Sequence, residues 1–345
     1  MRYLEKPIAV SMGEPSGVAS ELIIKAWLKR KIYNIPPFIL VDDLYKLSKL
    51  NKLFKLNAKF RVISKNDEVH DFFHNEIPVI DIKANINLSL GNSNKKNNKY
   101  VIESIKKSFE LVYSGQCSSL ITLPVCKKTL KKDKFNFNGQ TEFLSHLTKK
   151  KSGIKHNEIM ILSTTKPIDR GVNLIVGLVT THIPLSKIHK NINKKVVLEK
   201  IVSFKKSLEK IWKLKSPKIA VTSINPHAGE GGLIGNEEIK TIKPILNSCK
   251  KVGIKVIGPI SADSCFHKKS REKYDGILCF YHDQGLIPVK TIDFNNSINV
   301  TGGLPFIRVS PDHGPAFDIA GQNKASVESL IACFKFLKEV PKNEI

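Results

Sequence analysis

The 345-residue sequence predicts an α/β fold in which a largely parallel sheet is covered by helices. Two observations carry this. Short, β-rich apolar runs recur almost from end to end, and they are continuous rather than alternating, as strands covered on both faces are. Between them, apolar residues return at three- and four-residue steps, the period of a helix with one buried face. At roughly 100–200 residues per domain, the length accommodates about two domains. There is no internal repeat and no long linker.

In chain order, the first strand is expected at Ile8–Ser11. Gly13-Glu14-Pro15-Ser16-Gly17 joins it to a helical segment, either as a plain β–α turn or as a set of amides open to an anion. A second strand is expected at Phe38–Val41. Val101, Ile105, Phe109 and Val112 share one helix face, and a strand follows at Leu120–Leu123. Further strands are expected at Ile159–Leu162, Leu174–Thr180, Ile219–Ser223, Lys255–Ile257 and Gly276–Phe280. A last helix buries Val327, Ile331, Phe334 and Leu337. The lysine-rich stretches Asn92–Lys99 and Lys149–Gly153 read as exposed loops.

The formal net charge of +25 invites a nucleic-acid reading. The residue choice argues against it. Of 56 basic residues only Arg2, Arg30, Arg61, Arg170, Arg271 and Arg308 are arginine, leaving 50 lysines. Base edges are read mostly by forked guanidinium groups, so a solvated lysine surface is the expectation, with no specific nucleic acid as partner. No apolar run approaches the roughly 20 residues of a membrane span. Met1–Lys6 lacks the apolar stretch of a signal peptide. The six cysteines include no C-x-x-C pair, so they are expected to be buried thiols in a reducing cytoplasm.

Ligands of open α/β sheets sit beyond the carboxyl ends of the strands. Three apolar runs end there in histidine: His182, His227 and His282. They fit a three-imidazole divalent-metal site, with three packed or capping strand-end residues as the alternative. His227 opens Ala228-Gly229-Glu230-Gly231-Gly232-Leu233-Ile234-Gly235, which is not G-x-G-x-x-G because position 234 is Ile. Asn138–Leu144, which contains Gln140 and Thr141, offers donors to a phosphate, and Lys290 and Arg308 would suit an anionic substrate.

Six motifs together resemble the 4-hydroxythreonine-4-phosphate dehydrogenase family of pyridoxal 5′-phosphate biosynthesis. They are Asn225-Pro-His-Ala-Gly-Glu-Gly-Gly232, Tyr281-His-Asp-Gln-Gly285, Leu304-Pro-Phe-Ile-Arg308, Thr180-Thr-His182, Gly139-x-Thr-Glu-Phe143 and Ser310-Pro-Asp-His-Gly314. The matches run in family order from Gly13 to about Ala325. The resemblance implies a two-domain α/β/α sandwich of the isocitrate/isopropylmalate dehydrogenase type. It implies a first domain of about residues 1–130 plus 265–345, and a second of about 131–264 carrying the interface of a homodimer with a shared active site.

The resemblance also implies NAD as cofactor, with NADP as the alternative, and a divalent metal: zinc, magnesium or cobalt. His182, His227 and His282 match the family's metal ligands, with His282 expected from the second subunit. Gln140, Thr141, Lys290, Asn299 and Arg308 match substrate-contacting positions. Asp263 and Asp283 match catalytic polar residues. His313, Gly314, Ala316 and Asp318 lie in a segment resembling the adenosine-side loop of the related decarboxylating dehydrogenases. The implied reaction is oxidation of 4-phosphooxy-L-threonine at C3 followed by decarboxylation. The alternative is a paralogous dehydrogenase of 4-phosphoerythronate or 4-phosphothreonate. The chain departs from the family at Gln140, where His is usual, at Val18-Ala19-Ser20 in place of Ile-Gly-Pro, and at Pro315, often Thr.

Overall fold

The computed structural model describes residues 6–64, 69–132, 135–166, 168 and 174–340, with only the backbone of Lys132. Met1–Glu5, most of the stretch on which the signal-peptide expectation rests, lies outside these residues. The strands, in chain order, are β1 (Ile8–Ser11), β2 (Phe38–Asp42), β3 (Phe60–Val62), β4 (Ile77–Asp81), β5 (Ser119–Thr122) and β6 (Ile159–Thr164), followed by β7 (Ile175–Leu178), β8 (Ile219–Thr222), β9 (Val256–Ile260), β10 (Gly276–Cys279), β11 (Ser297–Gly302) and β12 (Ile307–Pro311).

The chain divides into two compact units, Met1–Leu147 with Pro305–Ile345, and Thr148–Leu304. In the first, the strand order is β3-β4-β2-β1-β5-β12, and every pairing is parallel. Strands β1, β2 and β5 are buried along their whole length, which explains their unbroken apolar runs. Phe38 of β2 packs edge-on against Phe73 at 5.1 Å and against Phe334 of the last helix, Glu328–Glu339, at 5.2 Å.

The second unit has the order β11-β6-β7-β10-β8-β9. The expected largely parallel pairing holds for β7, β10, β8 and β9, with a local exception: β6 runs antiparallel to both β7 and β11. The link from β6 to β7 is about ten residues, too short to carry the helical crossover that a parallel pair requires. Its core joins Met160, Leu162, Val176, Leu178, Ile277, Cys279 and Val289. Glycine is required at 177, because a Cβ there would lie 2.9 Å from the Phe204 ring.

Residues 265–304 pack with the second unit, whereas the sequence reading grouped them with the first. The reason is that β10 is hydrogen-bonded between β7 and β8. Neither lysine stretch is a simple loop. Lys149–Ser152 forms the end of helix Gln140–Ser152, where cations complement the helix dipole. Lys95–Asn97 is a 3-10 turn leading into helix Asn98–Tyr113, and Asn97 and Asn98 are buried. All six cysteines are free and buried. Among the described residues no helix is long and apolar enough to cross a membrane.

Candidate active site

In the second unit the carboxyl ends of β7 and β10 are stitched together beyond the strands. Val179 N donates to Cys279 O at 2.8 Å, Thr180 N to Phe280 O at 3.1 Å, and Thr180 Oγ1 to the same carbonyl at 2.6 Å. This stitching brings the His182 and His282 rings to a centroid separation of 5.5 Å. His282 opens helix His282–Ile292, and its Nδ1 lies 2.7 Å from Asp283 Oδ1. Thr181, His182, Ile183, Leu185, Ile188, Tyr281, His282 and Asp283 line a cavity of 220 Å³. Burial raises the Tyr281 hydroxyl above its ordinary range, and the Cys279 and Asp283 charges add to that.

His227 lies apart from this pair, on an exposed loop spanning Pro226–Gly232. Among the described residues no three His, Cys, Asp or Glu side chains gather into a metal-binding group. The loop backbone runs left-handed for five residues, with φ of 49° at His227, 54° at Ala228, 75° at Gly229, 42° at Glu230 and 71° at Gly231. For the three non-glycine residues that conformation costs roughly 1–2 kcal/mol each. Asp263 is exposed, and the Ser261 hydroxyl, donating to Oδ1 at 2.5 Å, holds its carboxyl below the usual range. Lys290 lies in the helix that His282 opens, with Nζ 5.3 Å from the Phe294 ring centroid. Asn299 is on β11, and its Oδ1 is buried without a hydrogen-bond partner.

In the first unit, Arg308 of β12 is only 3% exposed. Its Nε donates to Thr122 Oγ1 at 3.0 Å, and its Nη1 to Thr141 Oγ1 at 3.3 Å. Burial pulls the guanidinium down to about 10, a shift opposed by Cys333 and Glu142. It is still a cation at neutral pH. Thr141 sits in the first turn of helix Gln140–Ser152. Gln140 Nε2 donates to Leu123 O at 3.1 Å, while its Oε1 is buried and without a partner. Desolvation lowers the nearby Lys127 ammonium, with Glu142 opposing and Arg308 and Lys131 reinforcing the shift. One guanidinium, one ammonium, the first turn of a helix and an orphaned amide oxygen thus belong to one polar neighbourhood.

The segment with His313, Gly314, Ala316 and Asp318 follows β12 and is exposed or half-buried. It is held by the turn after β1, where Val18 N donates to Pro315 O at 3.0 Å. A Cβ on Gly17 would lie 2.6 Å from that same oxygen. Two of the three departures from the family pattern therefore meet in one contact. Ser20, in the same departure, takes the buried Lys46 ammonium at 2.6 Å, and Lys46 also pairs with Asp42 at 2.8 Å.

Residues 35–337 match the family described as Pyridoxal phosphate biosynthetic protein PdxA. The chain belongs to this family. It is 35% identical over 336 residues to a 4-hydroxythreonine-4-phosphate dehydrogenase of Caulobacter vibrioides, covering 97% of both chains. It is 36% identical over 345 residues to a Clostridium botulinum protein named "Putative D-threonate 4-phosphate dehydrogenase", covering 98% of this chain and 99% of that one. The crystal structure of 4-hydroxythreonine-4-phosphate dehydrogenase from Klebsiella pneumoniae superposes with a TM-score of 0.81 at 32% identity, over 97% of this chain and 99% of that one. The α/β fold is therefore that of the PdxA-family dehydrogenases.

Within this PdxA-family chain the structure adds residues that sequence reasoning passed over. Gln284 Oε1 accepts from Thr222 Oγ1 and from Phe280 N, both at 2.8 Å, and its Nε2 donates to Ser223 O at 2.7 Å. It thus ties the end of β8, which leads to His227, to the turn that carries His282. Its place inside Tyr281-His-Asp-Gln-Gly285 was the available signal. Thr122 and Lys127 are the others. Thr122 is the last residue of an apolar strand, and Lys127 is one lysine among 50, so neither carried a distinguishing pattern.

Proposed function

We propose that this chain oxidises the C3 hydroxyl of 4-phosphooxy-L-threonine with NAD⁺ and then decarboxylates the product to 3-amino-2-oxopropyl phosphate, a step in pyridoxal 5′-phosphate biosynthesis. The observation that carries this reading is the pairing of His182 with His282 at the joined ends of β7 and β10, backed by Asp283. Two imidazoles on one tetrahedral ion hold their ring centroids roughly 5 Å apart, given metal–nitrogen bonds of ~2.1 Å. The 5.5 Å separation fits that donor set. A carboxylate on the remaining ring nitrogen is the usual companion of a ligating histidine. His227 completes the proposed set; the pairing of His182 with His282 within one chain departs from the expectation that His282 comes from the second subunit, and the proposal is that a second copy of the chain supplies His227 instead.

When bound, a divalent metal supplies Lewis-acid charge at the C3 oxygen. The chain's own residues do the rest. Arg308 and Thr141 hold the phosphate, with the helix N-terminus behind Thr141 favouring its charge. Lys290 and Asn299 orient the amino-acid end, the buried Asn299 Oδ1 being an acceptor for an ammonium. Hydride leaves C3 for NAD⁺ as the hydroxyl proton passes to a carboxylate of this chain, for which Asp283, beside the His282 ring, is the candidate. In the second stage the bond to the carboxylate breaks, CO₂ leaves, and the electron pair goes to the carbon that is then protonated. The cofactor is assigned to the His313–Asp318 segment, where Gly314 faces open space.

A second reading, dehydrogenation of a four-carbon sugar-acid phosphate, is favoured by two observations. One is the equal identity to the Clostridium botulinum relative. The other is Gln140, whose amide cannot take a charge. Initial rates of NADH formation with 4-phosphooxy-L-threonine and with D-threonate 4-phosphate, in a zinc, magnesium and cobalt series, separate the two. Turnover of the amino acid phosphate is expected. Turnover of the amine-free compound alone refutes the first reading.

A further inference from the structure

The left-handed loop that carries His227 is held from behind by one carboxylate. Glu238, at the start of the following helical segment, is 1% exposed. Its Oε1 accepts from Ile224 N and from Asn225 N, both at 2.9 Å, and its Oε2 accepts from Asn225 Nδ2 at 2.9 Å. Its Oε2 also occupies the space beside Gly229, where a Cβ would lie 2.8 Å away. Asn225 Nδ2 donates in addition to Glu237 Oε2 at 2.7 Å, and Glu237 Oε1 contacts His189 Nε2 at 2.6 Å. The loop is closed by Ile234 N donating to Gly229 O at 3.1 Å.

We propose that Glu238 is the positioning residue of the His227 metal ligand, fixing the imidazole by satisfying the two backbone amides and the one side-chain amide immediately ahead of it. The proposal rests on the assignment of His227 as a ligand. The geometry explains why a carboxylate is needed. Two backbone N–H groups and an amide donor converge on one group that offers acceptors only. Without it, those donors are left unsatisfied at a half-buried place. The run from His227 to Gly231 then has no reason to keep a conformation that L-residues avoid. Relaxation to right-handed backbone turns the His227 side chain away from where the other ligands sit. The hydrophobic attachment of the following helix, through Ile245, Leu246 and Cys249, does not involve Glu238, so the unit keeps its core.

The test measures Co²⁺ binding to the full-length protein by calorimetry and by visible absorption, in the wild type, Glu238→Ala, Glu238→Gln and His227→Ala. The thermal midpoint of each metal-free protein is recorded alongside. Loss of a group that orients a ligand typically weakens metal affinity about 10–100-fold. That loss is expected for Glu238→Ala, with an altered cobalt ligand-field spectrum. Glu238→Gln is expected to lose less, because its remaining carbonyl oxygen still accepts from the two backbone amides while its NH₂ meets the Asn225 amide. If Glu238→Ala does not fold, the folded Glu238→Gln decides by the same spectrum and affinity. Weakened binding in His227→Ala together with wild-type affinity and spectrum in the folded Glu238 variants overturns this proposal alone. A lowered metal-free midpoint without any change in cobalt binding also overturns it. Wild-type binding in His227→Ala overturns the ligand assignment and the proposal with it.

Discussion

Replacing Arg308 by lysine keeps the charge and removes the fork. The guanidinium spans two hydroxyls, with Nε 3.0 Å from Thr122 Oγ1 and Nη1 3.3 Å from Thr141 Oγ1. A single ammonium nitrogen on a flexible stem lacks the rigid planar fork that spans both hydroxyls while presenting further N–H groups to an anion. One charge-assisted hydrogen bond to the substrate phosphate is therefore expected to disappear, worth about 1.5–3 kcal/mol. At 1.4 kcal/mol per factor of ten, that is a fall of roughly 10–150-fold in kcat/KM. Because the phosphate does not react, the interaction is as strong in the ground state as in the transition state. The loss should therefore appear as a raised KM with kcat retained. The assay is the initial rate of NADH formation against substrate concentration, with the thermal midpoint and Co²⁺ affinity measured on the same protein. Arg308→Lys with an unchanged KM in the folded protein would refute the phosphate assignment. A fall in thermal midpoint with no kinetic change would recast Arg308 as a strut between Thr122 and Thr141.

Two further outcomes follow from packing and burial. Gly17→Ala places a methyl group 2.6 Å from Pro315 O, and overpacking of that kind costs about 1–3 kcal/mol. The Pro315 segment must move, so KM for NAD⁺ is expected to rise several-fold (roughly 3–10-fold, if part of that cost is spent on the bound state) while Co²⁺ affinity is unchanged; an unchanged KM for NAD⁺ removes the segment from the cofactor site. Alkaline stability is the second. Burial pushes the Cys117 and Cys265 thiols from an ordinary 9.0 up to about 12, so these groups stay protonated in the fold where the unfolded chain ionises. The stability they contribute is complete below pH 9 and is lost as pH rises from 9 toward 12, by up to about 1.4 kcal/mol per pH unit for each group. Urea midpoints between pH 8 and 10.5 should fall, and Cys117→Ala should flatten that fall; identical profiles would contradict the burial argument.

Most strands that were legible in the sequence are buried on both faces; the half-buried β9 is the exception, betrayed by its Val256-Ile257 pair. Ile8–Ser11 and Gly276–Cys279 are apolar without interruption because no side of them meets water. The strands that escaped detection each carry a polar or proline residue for a physical reason. In β4, Pro78 removes a ladder donor from an otherwise apolar run. In β11 and β12, Asn299 and Arg308 break the pattern because they belong to the candidate site. The edge strand β3 is short and half-exposed, with Arg61 stacked over Phe72 at 4.4 Å. The candidate site was legible where chemistry demands a rare residue type, as with the three histidines and Arg308. It was not legible where a common residue acts through placement. Glu238 and Gln284 matter because of which backbone groups converge on them, and a linear pattern does not record convergence.

The charge of the chain is resolved at the level of individual cations rather than of their sum. Few of the 56 basic residues are arginine, and each of the four described ones has a particular partner. Arg30 donates to Trp27 O at 3.0 Å and lies over the Trp27 ring at 3.7 Å, Arg61 pairs with Glu76 at 2.5 Å, and Arg271 donates to Phe266 O. These three hold the protein to itself through carbonyl and carboxylate oxygens. Arg308 instead bonds two hydroxyls, which can donate onward to a ligand as well as accept. It is also the most deeply buried of the described arginines, and burial is what moves its guanidinium to about 10. A cation kept in that position at such a cost is stabilised most by an anion that arrives with its own charge. The lysines over the remaining surface satisfy solvation and solubility, and their number says nothing about the substrate. A nucleic-acid partner would ask for many exposed, forked cations; a small phosphorylated acid asks for one, buried at the first turn of a helix, as Arg308 is beside Thr141.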